Sequence, residues 1–366
     1  MNTTSNSSRS QDYCPVIQDM VNHTDTGLSW ATVVLHGLVS SFSIVENLLI
    51  LLVVGFRVHR SVISVWILNL AASDLLASAS LPFFTHFLAS GKSWTMGKTF
   101  CRVHSSIFFL NMFVSGFLVA AVSLDRCLVV LKPVWAQNKR DVGLVMRVCG
   151  IIWALGVLCT VPYYIFRDTI TRVDGGIMCY YNFVQYRPAG DFDLLKLCGA
   201  RQDTLAYTKL VLAFIIPLVV IVVSYVFVTV EIARRGRNWH SFRFVRLVVA
   251  VVVSFVVCWA PYHIFSVLEA IAHYRPSLRE VVARTLPHTA SLAFLNSVLN
   301  PILYVFSCPD LCAKIRQSLG AVLESVLVED LGELARRRST QHSISTSEVL
   351  LKERSVKNSH SLAGGD

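Results

Sequence analysis

Four features stand inside otherwise apolar stretches and set the chemistry open to this chain. They are a carboxylate at Asp74, the ion pair Asp125-Arg126, an ammonium at Lys209 and the dipeptide Asn300-Pro301. No nucleophile–base set or metal-ligand cluster accompanies them, so no enzymatic activity is expected. An ionisable group in an apolar span is expensive and marks a functional position. A proline removes a helix hydrogen bond and kinks the segment that carries it. Charges at span ends and kinks within spans suit helices that change their packing on a signal. Lys209 adds its own demand, because a buried ammonium needs an anionic partner. Snorkelling to the interface or a pair with Glu269 would meet that demand from within the chain. An acidic ligand would meet it from outside.

The elements that must position these groups are long and apolar. The chain has 366 residues, is 54% hydrophobic and 15% charged, and has a mean hydropathy of +0.56, far from a soluble profile. A hydrocarbon core about 30 Å thick takes roughly 20 apolar residues per helix. Residues 30–56, 62–88, 105–130, 142–166, 205–230, 244–270 and 281–306 reach that length. The expected fold is an all-α membrane protein, a seven-transmembrane helix bundle over residues 30–306, with nothing of the alternation of a membrane barrel. A polar tail, 1–29, precedes it. A juxtamembrane amphipathic helix at 307–328 and a disordered Ser/Thr-rich tail at 329–366 are expected to follow. Most connections are short and charged, whereas 167–203 reads as an extended polar loop.

The polar tail lacks an apolar h-region, so no cleaved signal peptide is expected. Its glycosylation sequons at Asn2, Asn6 and Asn22 favour an extracellular N-terminus, which leaves the C-terminus cytoplasmic and the chain in the plasma membrane. Lys and Arg flank the spans in nearly equal numbers on both sides, so charge bias orients the chain only weakly. The basic outer face suits an anionic ligand; no nucleic-acid partner is expected. Of the ten cysteines, Cys14, Cys101, Cys179 and Cys198 fall on the outer, oxidising side. A Cys101–Cys179 bridge would pin the long loop over the bundle mouth. Cys14 and Cys198 then remain, as a second bridge or as free thiols. Cys308 and Cys312 are candidate palmitoylation sites.

Asn47, Leu70-Ala71-Ala72-Ser73-Asp74, Cys101, Asp125-Arg126-Cys127, Trp153, Pro217 with Tyr225, Cys258-Trp259-Ala260-Pro261 and Asn300-Pro301-Ile302-Leu303-Tyr304 occur in order, each on a fitting span. Together they resemble the rhodopsin-like (class A) G-protein-coupled receptors over about residues 30–319. Narrower stretches, among them Leu81-Pro82-Phe83-Phe84, Pro133-Val134-Trp135-Ala136, Met178-Cys179-Tyr180-Tyr181-Asn182 and Pro261-Tyr262-His263, resemble a receptor type for an acidic prostanoid lipid. That type groups with chemoattractant receptors for formyl and complement peptides.

The resemblance implies roles for particular residues. A sodium ion, an allosteric ligand rather than a cofactor, would sit among Asp74, Asn111, Ser115, Asn296, Ser297 and Asn300 and favour the inactive packing. Asp125 and Arg126 would pair at rest. Trp259 at the Pro261 kink, Tyr225, Asn300, Pro301 and Tyr304 would complete the activation switch. The base of the sixth span reads Ser241-Phe242-Arg243-Phe244, so the acidic latch of many relatives is absent, and Cys127 replaces the more usual Tyr. Phe108 stands where amine receptors carry Asp, which argues against a cationic transmitter. Lys209 and Arg167, with Tyr181 and Tyr262, would hold a carboxylate. Phe84, Phe87, Phe108, Phe109 and Phe294, with His104 at the edge, would wall the lipid chain. The implied partners are an acidic lipid, an inhibitory heterotrimeric G protein, receptor kinases and arrestin on the phosphorylated tail, and the bilayer; the implied response is chemotaxis. A chemoattractant peptide receptor is the nearest alternative. A seven-span channel or transporter is the distant one, though the seventh span has no lysine for a retinal Schiff base and the halves show no inverted repeat.

Overall fold

The computed structural model describes residues 13–22, 30–187, 193–235, 238–307 and 317, without the side chains of 19, 21, 22, 238–248 and 304–307. Asn2, Asn6, Cys308, Cys312, the expected juxtamembrane helix and the Ser/Thr-rich tail lie outside them, as do the side chains of Asn22, Arg243 and Tyr304.

Local sequence sets where the helices begin. A short helix, α1 (Pro15–Asn22), precedes the first long one, α2 (Trp30–Phe56). The next, α3 (Val62–Ala89), starts at Ser61, whose hydroxyl accepts from Ser64 N while Ser64 Oγ accepts from Ser61 N. That reciprocal cap satisfies two amides that the helix itself leaves open. After α4 (Lys98–Leu131), Pro133 opens the short α5 (Pro133–Lys139), where its missing N–H costs nothing. Asp141 caps α6 (Val142–Phe166) by accepting from Leu144 N. Among the described residues, six helices are long and apolar enough to cross a membrane.

The stretch expected as a polar loop is substantially ordered. Residues Arg167–Thr171 (β1) and Ile177–Tyr181 (β2) pair antiparallel, with Arg167 opposite Tyr181. Asp193 then caps α7 (Leu194–Lys209), accepting from Leu195 N and Lys196 N. This helix continues through a π segment (Leu210–Ile215) into α8 (Ile216–Arg234). The resulting rod of 41 residues is about 60 Å long at 1.5 Å per residue. It therefore starts well before the expected boundary at residue 205. The π turn falls just ahead of Pro217, where the helix ladder must be rebuilt around a missing donor. Gly116 of α4 lets this turn come close, since a Cβ there would lie 3.1 Å from Ala213 O.

The seventh span differs from the unbroken helix expected at 281–306. After α9 (Asn238–Tyr274), the chain forms α10 (Arg279–Ala293) and α11 (Asn296–Ser307), with Phe294 and Leu295 as a turn between them. Backbone bonds there run three residues back, Leu295 N to Leu292 O at 3.1 Å and Ser297 N to Phe294 O at 3.1 Å. Within α11, Pro301 has no N–H to offer Ser297 O, which accepts instead from Asn47 Nδ2 at 3.0 Å and Ser43 Oγ at 3.1 Å, both on α2. Neighbouring side chains thus satisfy the carbonyl that the proline releases.

Two disulfides, Cys101–Cys179 and Cys14–Cys198, tie the hairpin to α4 and the start of the chain to α7. The second closes a separation of 184 residues, and a cross-link of this kind typically contributes about 2–4 kcal/mol. Replacing Cys14 and Cys198 together with Ala should lower the thermal midpoint in detergent by several degrees. An unchanged midpoint would mean that packing around Ile17, not the bridge, holds α1.

Candidate ligand cavity and buried polar centre

At the hairpin end of the bundle, β1 and β2 lie over a cavity of about 170 Å³. All ten residues expected around an acidic lipid line it: Phe84, Phe87, His104, Phe108, Phe109, Arg167, Tyr181, Lys209, Tyr262 and Phe294. They arrive from different elements. Phe84 and Phe87 stand on α3, His104, Phe108 and Phe109 on α4, Arg167 and Tyr181 on the hairpin, Lys209 at the end of α7, Tyr262 on α9 and Phe294 at the α10–α11 break.

Electrostatics distinguishes two ends. Lys209 is 2% exposed, so its side chain does not reach an interface by snorkelling. Its ammonium lies over the rings of Tyr262, Phe109 and Tyr163 at 5.4, 5.7 and 5.9 Å. Among the described residues no carboxylate comes within 4.0 Å of it. Glu269 also lines the cavity, but its Oε1 accepts from the Tyr180 hydroxyl. The Arg167 guanidinium stacks 4.2 Å from the Tyr181 ring centroid and donates a long bond, 3.4 Å, to Cys179 O. Its Nε is buried and has no hydrogen-bond partner among the described residues. Ring faces soften the cost of burying Lys209 and half-burying Arg167 without neutralising it. The other end is aromatic: Phe108 lies 5.1 Å from Tyr262, 5.4 Å from Phe294 and 5.5 Å from Phe109. His104 donates from Nε2 to Ser80 O at 3.1 Å, which leaves its other nitrogen as an acceptor.

Sequence reasoning did not place Trp94, Tyr180, Leu286, Pro287 or Ala290 in this wall. A signal existed for Trp94, which sits between Gly91 and Gly97 at φ values of 64° and 83°. Two such turns fold a short connection back on itself and bury its one large ring.

A second polar centre occupies the bundle interior. Asp74 is wholly buried. Its Oδ1 accepts from Asn111 Nδ2 and Ser297 Oγ, each at 3.2 Å, and its Oδ2 from Asn300 Nδ2 at 2.8 Å. Asn296 Nδ2 donates to Ser115 Oγ at 3.2 Å alongside. The six polar residues expected together are thus brought together, from α3, α4 and α11.

Of the expected switch residues, Trp259 and Tyr225 are buried and Pro261 lies inside α9. At the far end of α4, both oxygens of Asp125 accept from Arg140, from Nε and Nη2 at 2.7 Å each. Arg140 ends α5, and this forked pair was not expected; the resting partner anticipated for Asp125 was Arg126. A forked guanidinium–carboxylate pair of this kind is geometrically specific, and it ties the α5 connection to the end of α4.

A helix bundle with a broken seventh span, a buried carboxylate among amides and a hairpin bonded over a cavity defines a class of protein. The chain belongs to the 7 transmembrane receptor (rhodopsin family), whose pattern matches residues 46–304; it is a multi-pass membrane receptor of the G-protein-coupled type. It is 54% identical over 352 residues to prostaglandin D2 receptor 2 of Mus musculus, covering 93% of this chain and 91% of that one. To prostaglandin D2 receptor 2 of Rattus norvegicus it is 56% identical over 323 residues, 87% and 79% of the two chains. The C3a anaphylatoxin chemotactic receptor of Oncorhynchus mykiss is 36% identical over 302 residues, 82% and 80%.

The hairpin over the cavity hangs on Asp168, which accepts from Lys98 Nζ at 2.8 Å, Thr169 N at 2.9 Å, Asn182 Nδ2 at 3.2 Å and Gln185 Nε2. Burial alone would raise its pKa, but the bonds from Lys98, Asn182 and Thr169 outweigh it and hold the carboxyl below the usual carboxylate value. A depressed folded pKa contributes stability that is complete above the unfolded value, about 3.9, and is lost as pH falls through the lower folded one. Hydrogen-exchange protection of the hairpin should therefore decline below about pH 4 in the parent. Asp168→Asn should weaken protection already at neutral pH and flatten that acid decline. An unaltered acid profile in the variant would remove Asp168 as the hairpin's anchor.

Proposed function

We propose that this chain is a plasma-membrane receptor for an acidic lipid, with prostaglandin D2 as its ligand, its N-terminus outside and its C-terminus in the cytosol. It signals through an inhibitory heterotrimeric G protein and directs chemotaxis. The observation that carries this reading is a pair of cations, the buried Lys209 and the half-buried Arg167, at an aromatic cavity where the one carboxylate among the described lining residues, Glu269, is already engaged by Tyr180. Similarity to receptors named for prostaglandin D2 supports the choice of lipid.

The ligand carboxylate lies between Lys209 and Arg167, and the hydroxyls of Tyr181 and Tyr262 donate to it. Its hydrocarbon runs along Phe84, Phe87, Phe108, Phe109 and Phe294. Binding repacks α9 about the Pro261 kink, beside Trp259, so that the far half of α9 swings away from α4. Arg126, with Tyr225 and Tyr304, then faces the G protein. Receptor kinases phosphorylate the Ser/Thr-rich tail, and arrestin binds it.

Asp74 fits a sodium ion, because the groups gathered at it are hydroxyls and amides around one carboxylate, as a hard monovalent cation requires. Asp74, Ser115 and Ser297, with the amides of Asn111, Asn296 and Asn300, would hold it. The ion supplies a positive charge against the Asp74 carboxylate. A ligand that prefers the inactive packing must oppose one that prefers the active packing.

Two measurements test the reading. Removing one member of a desolvated charge pair typically costs about 2–5 kcal/mol, roughly 30- to 5000-fold in affinity. Lys209→Ala should weaken binding of the acid within that range while surface expression persists. The methyl ester should bind the parent poorly and should lose far less on the variant. Equal binding of acid and ester by the parent would refute the anchor. For the polar centre, sodium should lower agonist affinity in the parent and leave it unchanged in Asp74→Asn. A variant as sodium-sensitive as the parent would refute the ion site.

A further inference from the structure

Polar atoms without partners collect on one stripe of α9. Both ring nitrogens of His263, Oγ of Ser266 and Nε1 of Trp259 are buried and accept or donate no hydrogen bond among the described residues. All three side chains are 1% exposed. Spacings of four and then three residues put them on one helix face. Leaving such groups unmet is destabilising, and buried polar atoms in native proteins are otherwise nearly always satisfied. The stripe faces the π segment, where the His263 ring packs 5.2 Å from Phe214. None of the three lines the cavity itself, but Trp259 lies 6.2 Å from Phe108, which does, so one ring separates the stripe from the cavity. Tyr262 and Glu269, which line the cavity, stand on the neighbouring strip of the same helix, and Lys209 ends α7 immediately before the π segment.

The chemistry of the stripe is uncharged. A neutral imidazole offers one donor and one acceptor, a hydroxyl one donor and two acceptors, and an indole one donor. Such a set does not recognise the carboxylate, for which Lys209 and Arg167 are already present. It matches a neutral oxygen that both accepts and donates, or accepts twice. We propose that His263, Ser266 and Trp259 form a second, uncharged subsite that takes a hydroxyl or carbonyl oxygen of the ligand. This rests on the acidic-lipid reading above and adds the feature that separates an oxygenated acid from a plain fatty acid. A site built to hydrogen-bond an oxygen rejects the analogue that lacks it, because its own groups are then left unpaired.

The test is competition binding with three compounds: prostaglandin D2, its analogue with the ring hydroxyl and carbonyl replaced by hydrogens, and the methyl ester of prostaglandin D2. The parent should favour the oxygenated acid over the deoxygenated one by about tenfold. In His263→Phe that preference should fall close to unity, with the deoxygenated acid binding nearly as it does to the parent. His263→Gln, which keeps a donor and an acceptor, should retain the preference, and Ser266→Ala should narrow it by about threefold. Should His263→Phe fail to reach the cell surface, His263→Gln and Ser266→Ala carry the comparison. A parent without preference, or a preference undiminished in Ser266→Ala and His263→Phe, overturns the subsite. So does an equal loss for both acids, which would assign the stripe to ordered water. Equal binding of acid and ester by the parent refutes the carboxylate anchor instead, and leaves the oxygen preference to be read on its own.

Discussion

The middle of the bundle is held by a carboxylate that has no route to solvent. Asp74 must find its partners within reach of α3, and it draws on Asn111 of α4 and on Ser297 and Asn300 of α11. Three helices are thereby fixed in register by one side chain. The geometry of the seventh span follows from the same demand, since an unbroken helix offers side chains only at its own period. The turn at Phe294 and Leu295 breaks that period just ahead of Asn296, Ser297 and Asn300, the residues that meet the centre. Pro301 in turn leaves Ser297 O without its helical donor, and Asn47 and Ser43 donate to it and fasten α2 to the seventh span. Polar groups inside an apolar medium come as satisfied networks, and this one specifies how four helices meet.

The cavity under the hairpin treats charge in the opposite way. Lys209, buried, and Arg167, half-buried, lie against ring faces, and among the described residues no carboxylate comes within ion-pair distance of Lys209. Glu269 is present but accepts from the Tyr180 hydroxyl. Burial of an ammonium is tolerated only where something compensates it. At Asp74 the compensation comes from amides and a hydroxyl of the chain; at Lys209 it comes from ring faces alone, and on the reading proposed above an acidic ligand would complete it.

Much of this was legible in the sequence, for identifiable reasons. Span positions followed from apolar length alone, and six of the helices carry it plainly. The cavity residues were legible because each sits at a motif-anchored position, Lys209 eight residues before Pro217 and Tyr262 one after Pro261. The start of α7 was missed although Asp193 before Leu194-Leu195 is a cap signal. The polar composition of residues 194–203 hid it, since a helix projecting past the apolar zone need not be apolar. The seventh-span break was illegible because it depends on Asp74, more than two hundred residues away in sequence. The Arg140–Asp125 pair was missed for a related reason. Nothing in a span pattern says which loop cation folds back onto a helix end, and only the short α5 brings Arg140 there.

One side chain stands between the two charge centres. Phe108 lies against Tyr262 in the cavity, 6.2 Å from Trp259 at the α9 kink and 5.4 Å from Phe294 at the seventh-span break. Interiors packed at crystal-like density do not absorb a displaced aromatic ring by local compression. A ligand that pushes Phe108 must therefore move its neighbours on α9 and at the α10–α11 break, or be opposed by both. The first of these elements carries a proline kink at Pro261 and the second has already lost its helical ladder, so both bend more cheaply than an unbroken helix. Phe294 precedes Asn296 and Ser297 by two and three residues, so a shift at the break changes the distances to Asp74 directly. A contact made on an aromatic wall at one end of the bundle is in this way joined, through a proline kink and a helix break, to the polar centre that fixes the register.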